Sequence, residues 1–179
     1  DDWDRERFLE TLGEACGKTD WQVHAYCLMR NHFHLVAETP RANLVAGMHW
    51  LQSTYTTRFN RRHKFSGHVF SGRYKALIVD GSGDGYLSTV CDYVHHNPVR
   101  AKLLKPAQRL AAYRWSSHPF YLTRPSQRPA WLRVDRLFGE RGITQDSATS
   151  RRQFEFLMEA RKDQEESLSN KDWKPLRRG

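Results

Sequence analysis

His32 and His34 are separated by a single residue in the stretch NHFHLVAE. On a strand, the side-chain period of two sends both imidazoles out of one face while Phe33 points into the other. Such a pair can share one divalent metal, or it can be structural. Nine histidines in 179 residues make the spacing easy to reach by chance, so HxH alone does not decide. Further along comes Tyr93-Val94-His95-His96-Asn97-Pro98. On a helix, Tyr93 and Asn97 lie one above the other and would face the sheet edge where the histidines emerge. Asn97 offers a neutral oxygen suited to Mg²⁺ or Mn²⁺. Two His and one Asn add no negative charge, so an ion among them would keep its full charge to polarise a phosphate oxygen. The commoner use of a helix tyrosine is as a boundary aromatic. Pro98 biases Asn97 away from helical backbone, which predicts a helix end or kink there. His95 lies roughly 200° round the helix from Tyr93, a place for packing or a backbone phosphate contact rather than ligation. His96 reads as a surface residue.

The elements that must position these groups follow from periodicity. Phe8, Leu12 and Ala15 give a helical stripe over residues 4–16, with Gly17 where a C-cap belongs. Residues 21–29 alternate Trp21, Val23, Ala25, Cys27 and Met29 against Gln22, His24 and Tyr26, as a strand does. Asn31 suits a turn, and residues 32–38 then form a second strand antiparallel to the first. Pro40 introduces a helix over about 41–62, with Leu44, Met48, Leu51, Tyr55 and Phe59 on its buried face. Residues 71–80 read as another strand, 81–85 as a loop, and a helix starts at Tyr86 with Leu87, Val90, Cys91 and Val94 inward. The class is α+β, with helices on one face of an antiparallel sheet. A strand ahead of the first helix would complete a ferredoxin-like β-α-β-β-α-β frame, and that leading strand is missing from the chain as given. Residues 104–135, rich in Pro, Arg and aromatics, suit irregular structure laid over the domain. An amphipathic helix carrying Phe154, Leu157, Met158 and Arg161 follows, then a basic, mobile tail.

Composition bounds the partners. Hydrophobic residues are 39% and charged residues 27%, the balance of a soluble globular protein. No apolar run approaches the roughly 20 residues needed to span a bilayer. DDWDRERF is neither a signal peptide nor a transit peptide. Cys16, Cys27 and Cys91 are scattered, which suits a reducing cytoplasm. Lys plus Arg outnumber Asp plus Glu by 29 to 20, for a formal charge of +9 and a pI near 9.7. A polyanion is the natural partner, although a basic surface can also serve solubility alone. Candidate contacts are Arg58, Arg61, Arg62 and Lys64 at one helix end, Arg73 and Lys75 on the third strand, and Arg100 and Lys102. Cations at a helix C-terminus suit the dipole anyway. Tyr74, Trp115, Phe120 and Tyr121 could stack on unpaired bases or pack in the core.

Taken together, LMRNHFHLVAETP, GRYKALIV and YVHHNPVRAKLL resemble the HUH superfamily of single-tyrosine, single-strand transposases. The match is to the branch called REP-associated tyrosine transposases, within the IS200-like transposase family. It runs from about Asp2 to Ala112 and continues weakly through YRWSSHPFYL. The resemblance implies that His32 and His34 are the metal pair, Asn97 the third ligand and Tyr93 the nucleophile. It implies cutting and rejoining of single-stranded hairpin DNA through a 5′-phosphotyrosine, with Mg²⁺ or Mn²⁺ as cofactor. His95 also matches the family pattern. Arg30 stands where the family usually has Pro, close enough to the site to add a phosphate contact. By the same resemblance, residues 1–112 form the catalytic domain and 113–179 a C-terminal extension. The extension favours a monomer, whereas insertion-sequence relatives are dimers with shared sites. Two rival readings are a catalytically idle hairpin-DNA binder acting as a regulator, and a metal-dependent hydrolase with no covalent step.

If the basic balance serves nucleic acid, log affinity falls linearly with log salt, and the resemblance further implies that single-stranded hairpins outcompete plain duplex. A salt titration of binding checks this. Equal affinity for a blunt duplex at about 150 mM salt would contradict the substrate class.

Overall fold

Residues 1–79, 85–105 and 107–167 are described by the computed structural model, with side chains through Lys162. The order is α1 (Asp2–Thr19), β1 (Gln22–Leu28), β2 (Phe33–Glu38), α2 (Leu44–His63) and α3 (Tyr86–Arg100). After these come a 3-10 turn at Leu110–Ala112, α4 (His118–Tyr121), a second 3-10 turn at Pro125–Gln127, α5 (Asp135–Glu140) and α6 (Ala148–Ser167). The class is α+β, built on a two-stranded antiparallel sheet. The chain divides into two compact units. One comprises Asp1–Gln22 and Ala37–Ala76; the other comprises Val23–Val36 and the described residues from Leu77 on.

The first unit pairs α1 with α2. Phe8, Leu12, Ala15 and Cys16 are buried on α1, and Met48, Leu51 and Tyr55 on α2. The ring of Phe8 meets that of Tyr55 edge-on at 5.2 Å. A reciprocal capping box between Asp1 and Asp4 starts α1. The helix runs past Gly17 and stops at Asp20, whose left-handed φ of 58° terminates it. Helix α2 begins at Leu44 rather than 41, because Ala42 sits at φ 50° in a turn closed by its N–H on the Thr39 carbonyl. Arg58 clamps Glu14 through both terminal nitrogens, at 2.8 and 2.9 Å. Arg62 takes Asp1 and Asp4 at 2.7–2.9 Å. These two cations join the helices.

In the second unit β1 is the centre, with six of its seven residues buried. One edge pairs with β2. The other takes single bridges from later chain. Leu28 N donates to Trp115 O (2.8 Å), Ser117 N to Tyr26 O (2.9 Å), and Arg133 N to Val23 O (2.8 Å). The aromatic-rich segment that composition marks as irregular cover is therefore the sheet's second border. Tyr121, fully buried, donates its hydroxyl to His24 O at 2.6 Å. It stacks on Phe154 at 5.1 Å and meets Phe138 edge-on at 5.5 Å. On α6, Phe154 and Met158 are buried, while Leu157 is left at the surface.

The predicted third strand does not form. Residues 71–79 have no strand pairing, and Leu77 and Ile78 are 62% and 93% exposed. Alternating β-branched and apolar residues favour a strand, but a strand persists only when a neighbour takes its backbone hydrogen bonds. Both edges of β1 are already taken, and among the described residues no strand pairs with 71–79. Asp80 and the 81–84 part of the predicted loop lie outside the described residues, as do residues 168–179 of the tail.

Two glycines give opposite expectations. A Cβ on Gly47 would stand 2.2 Å from the Trp21 ring, which Asn43 holds by a 2.8 Å hydrogen bond to its indole N–H. Gly47→Ala should therefore cost about 1–3 kcal/mol through overpacking. Gly17 lies inside α1, and a Cβ there would meet no described atom within 4 Å. Gly17→Ala should stabilise by roughly 0.5–1 kcal/mol. Urea midpoints of the two variants check the pair.

Candidate functional site

The hairpin between β1 and β2 is closed by Met29 N donating to His32 O at 2.8 Å, with Arg30 and Asn31 exposed at its tip. His32 stands immediately before β2, and His34 is its second residue. Their ring centroids are 5.0 Å apart, so both imidazoles leave the same side of the strand, as the period of two requires. His32 Nδ1 lies 2.9 Å from Asn31 Oδ1. A carbonyl oxygen only accepts, so Nδ1 carries a proton, and in the neutral ring Nε2 is the nitrogen with the lone pair. Burial pulls the His34 imidazole down to about 4, helped by the neighbouring His32 and by the Arg100 cation, which keeps it neutral at pH 7.

Helix α3 supplies the opposing wall. Its start is set by Gly85 at φ 74°, and the Glu140 carboxylate accepts from Ser88 N at 2.8 Å, a favourable charge for the positive end of a helix. Tyr93, Asn97 and Arg100 follow at i, i+4 and i+7, one stripe of the helix. The Tyr93 ring meets that of His34 edge-on, centroids 5.9 Å apart. The structure thus gathers His32, His34 and Tyr93. Arg100 donates from Nη1 to Tyr93 O at 2.8 Å, and its guanidinium lies 4.4 Å from the Tyr93 ring centroid.

Asn97 does not end the helix. Pro98 sits inside α3 and offers no N–H to Val94 O. The Asn97 amide nitrogen turns back on the same stretch, 3.1 Å from Tyr93 O and 3.5 Å from Val94 O. With the nitrogen so directed, Oδ1 is the atom left for a ligand.

The other faces of α3 are core. His95 is fully buried, with Nε2 2.8 Å from Ser117 Oγ, so it packs and makes no phosphate contact. His96, predicted at the surface, is 1% exposed; its nitrogens lie 2.8 Å from Asp92 O and 3.0 Å from Met158 O. That burial depends on α6, which no local pattern around His96 announces. Asp92 gathers Arg141 and Arg161.

The predicted nucleic-acid contacts divide. Arg30, Arg61, Lys64, Arg73, Lys75 and Lys102 are exposed. Arg58 and Arg62 are held by carboxylates, and Arg100 lies on Tyr93. Trp115 and Tyr121 are buried, which makes them core residues, whereas Tyr74 and Phe120 are half-buried. Sequence reasoning missed Asn31 as the group that orients His32 and Arg100 as the neighbour of Tyr93. Adjacency in the chain and the i+7 spacing were the available signals.

Among the described residues, no three His, Cys, Asp or Glu side chains come together as a metal cluster. Two imidazoles sharing one ion through nitrogens about 2.0–2.1 Å from it would hold ring centroids roughly 5 Å apart. The observed pair has that spacing.

A family model described as "Transposase IS200 like" matches residues 1–97, a span that includes both histidines, Tyr93 and Asn97. No curated protein and no solved structure matches the chain. No helix among the described residues is long and apolar enough to cross a membrane.

The state of His34 is open to direct measurement. In a nuclear magnetic resonance titration of the metal-free protein, His34 should stay neutral as pH falls through 6.5 and take up its proton near 4. A midpoint at the ordinary histidine value would contradict the burial described.

Proposed function

The chain belongs to the IS200-like transposase family, and on that premise we propose that it cuts and rejoins single-stranded, hairpin-forming DNA through a transient phosphotyrosine on Tyr93. The observation that carries this reading is the ring cluster of His32, His34 and Tyr93, with centroid separations of 5.0 and 5.9 Å. A nucleophile-bearing side chain beside two lone-pair imidazoles suits phosphoryl transfer better than either half alone.

In the cutting step, Tyr93 Oη forms a bond to phosphorus and the bond from phosphorus to the 3′ oxygen breaks. The phenol proton leaves to solvent, and the departing oxygen takes up a proton to become a free 3′-OH. The 5′ phosphate stays on the tyrosine. Rejoining is the reverse: a 3′-OH attacks phosphorus and Tyr93 departs. The tyrosine ester retains the energy of the phosphodiester, so no nucleotide cofactor is needed.

His32 Nε2, His34 and Asn97 Oδ1 are the atoms that would hold Mg²⁺ or Mn²⁺, and such an ion polarises a phosphate oxygen toward attack. Asn31 holds the His32 ring in the tautomer this requires. Burial of His34 keeps a competing proton off its nitrogen. Arg30, exposed at the tip of the same hairpin, would meet a backbone phosphate in this reading. The three cysteines are all buried and free, which fits a reducing cytoplasm. Residues 115–117 border β1, which fits a monomer whose C-terminal extension completes its own fold.

Two variants separate nucleophile from ligand. Tyr93→Phe removes one oxygen and should keep the fold, DNA binding and Mn²⁺ binding while cleavage falls on the order of 10³-fold or more. His32→Ala should also lose cleavage, but with weakened Mn²⁺ affinity and DNA binding retained. Cleavage of a labelled hairpin oligonucleotide and metal titration read both outcomes. Appreciable cutting by Tyr93→Phe would make water the nucleophile and the enzyme a hydrolase.

A further inference from the structure

Arg100 closes the stripe that begins with Tyr93, and its contacts set it apart from the other cations near the site. Arg30 and Lys102 are exposed, whereas Arg100 is half-buried. Its Nη1 donates to the Tyr93 carbonyl at 2.8 Å, and its guanidinium carbon stands 4.4 Å from the Tyr93 ring centroid. The His34 ring meets the same tyrosine edge-on, at 5.9 Å and 87°. The phenol is thus bounded by a cation and by an imidazole. Resting on the phosphotyrosine reading above, we propose that Arg100 is the positioning residue of the Tyr93 nucleophile and not a contact to DNA phosphate.

The chemistry asks for such a residue. In-line attack needs the phenol oxygen held within a few tenths of an ångström of its path, and a tyrosine ring on a half-buried helix face turns about two side-chain bonds unless something holds it. The helix around it is weakened where Pro98 withholds a donor from Val94 O. The Tyr93 carbonyl, one residue before, receives both the Asn97 amide at 3.1 Å and the Arg100 guanidinium. One planar, multi-donor group can bond a carbonyl and lie over a ring at once. A lysine ammonium has no flat face and no fork, so it cannot reproduce both contacts.

The test compares Arg100→Gln and Arg100→Lys with the natural chain in three measurements. These are hairpin-oligonucleotide affinity against salt, the single-turnover rate of adduct formation with Mn²⁺ at saturating DNA, and proton Overhauser contacts between residue 100 and the Tyr93 ring without DNA or metal. The account expects that contact in the natural chain. It expects both variants to keep Kd and salt slope, and both to form adduct about 10–100-fold more slowly. A phosphate contact would show the opposite pattern. Affinity would weaken in Arg100→Gln and the salt slope would drop by about 0.7–0.9. Lys would largely restore both, and the saturated rate would be unchanged. That result overturns the proposal, as does the absence of the Overhauser contact. If the natural chain makes no adduct, the phosphotyrosine reading fails separately, and the Overhauser contact still decides whether Arg100 holds the tyrosine.

Discussion

The hydrogen bond between His95 Nε2 and Ser117 Oγ, 2.8 Å long and fully buried, is the link on which the site's geometry depends. Ser117 Oγ also accepts from Tyr26 N at 2.9 Å and lies 3.3 Å from Tyr26 O. One hydroxyl therefore joins α3 to the central strand. The tautomer follows from what is left over. His95 Nδ1 is buried without a partner among the described residues, and an unpaired lone pair there costs less than an unpaired N–H would. Nε2 then carries the proton and donates to Ser117, whose own proton is free for Tyr26 O. Burial holds the imidazole well below its ordinary value, so it stays neutral and makes this bond throughout the physiological range. Since β1 pairs with β2, the bond ties the helix bearing Tyr93 to the strand bearing His34.

This arrangement divides labour along α3. One stripe carries Tyr93, Asn97 and Arg100, the residues to which the proposal gives chemical roles. The opposite side, with His95 and Val94, is core, and His96 and Asp92 fasten the helix to later elements. Adjacent histidines in one short motif thus serve different ends. His95 anchors to the sheet border, His96 anchors to α6, and the His32/His34 pair lies on another element altogether.

Period-two and period-3.6 patterns made the hairpin, both long helices and α3 legible, because those elements bury a repeating face. The HxH pair and the Tyr93/Asn97 spacing were legible for the same reason. The strand predicted at 71–80 failed because local sequence reports strand preference and not whether a neighbour exists to pair with it. The role of residues 113–134 was hidden because β1's second border is made of isolated bridges, at Ser116 and Leu132, that need no alternation. Arg58 and Arg62 looked free because the carboxylates that hold them, Glu14 and Asp1 with Asp4, are remote in the chain and near only after α1 and α2 pack. Arg100 was legible as a cation, but its place over Tyr93 depends on a side-chain direction that spacing alone does not give.

The central claim is that Tyr93 itself takes the DNA strand. The most direct measurement is mass spectrometry of the proteolysed protein after incubation with a single-stranded hairpin oligonucleotide and Mn²⁺, trapped under denaturing conditions. The account predicts one modified peptide, the one containing Tyr93, carrying the 5′ phosphate and the nucleotides downstream of the cut, together with a free 3′-OH on the released strand. Cleaved DNA without any protein-linked phosphate, or a phosphate linked to a residue other than Tyr93, would contradict it.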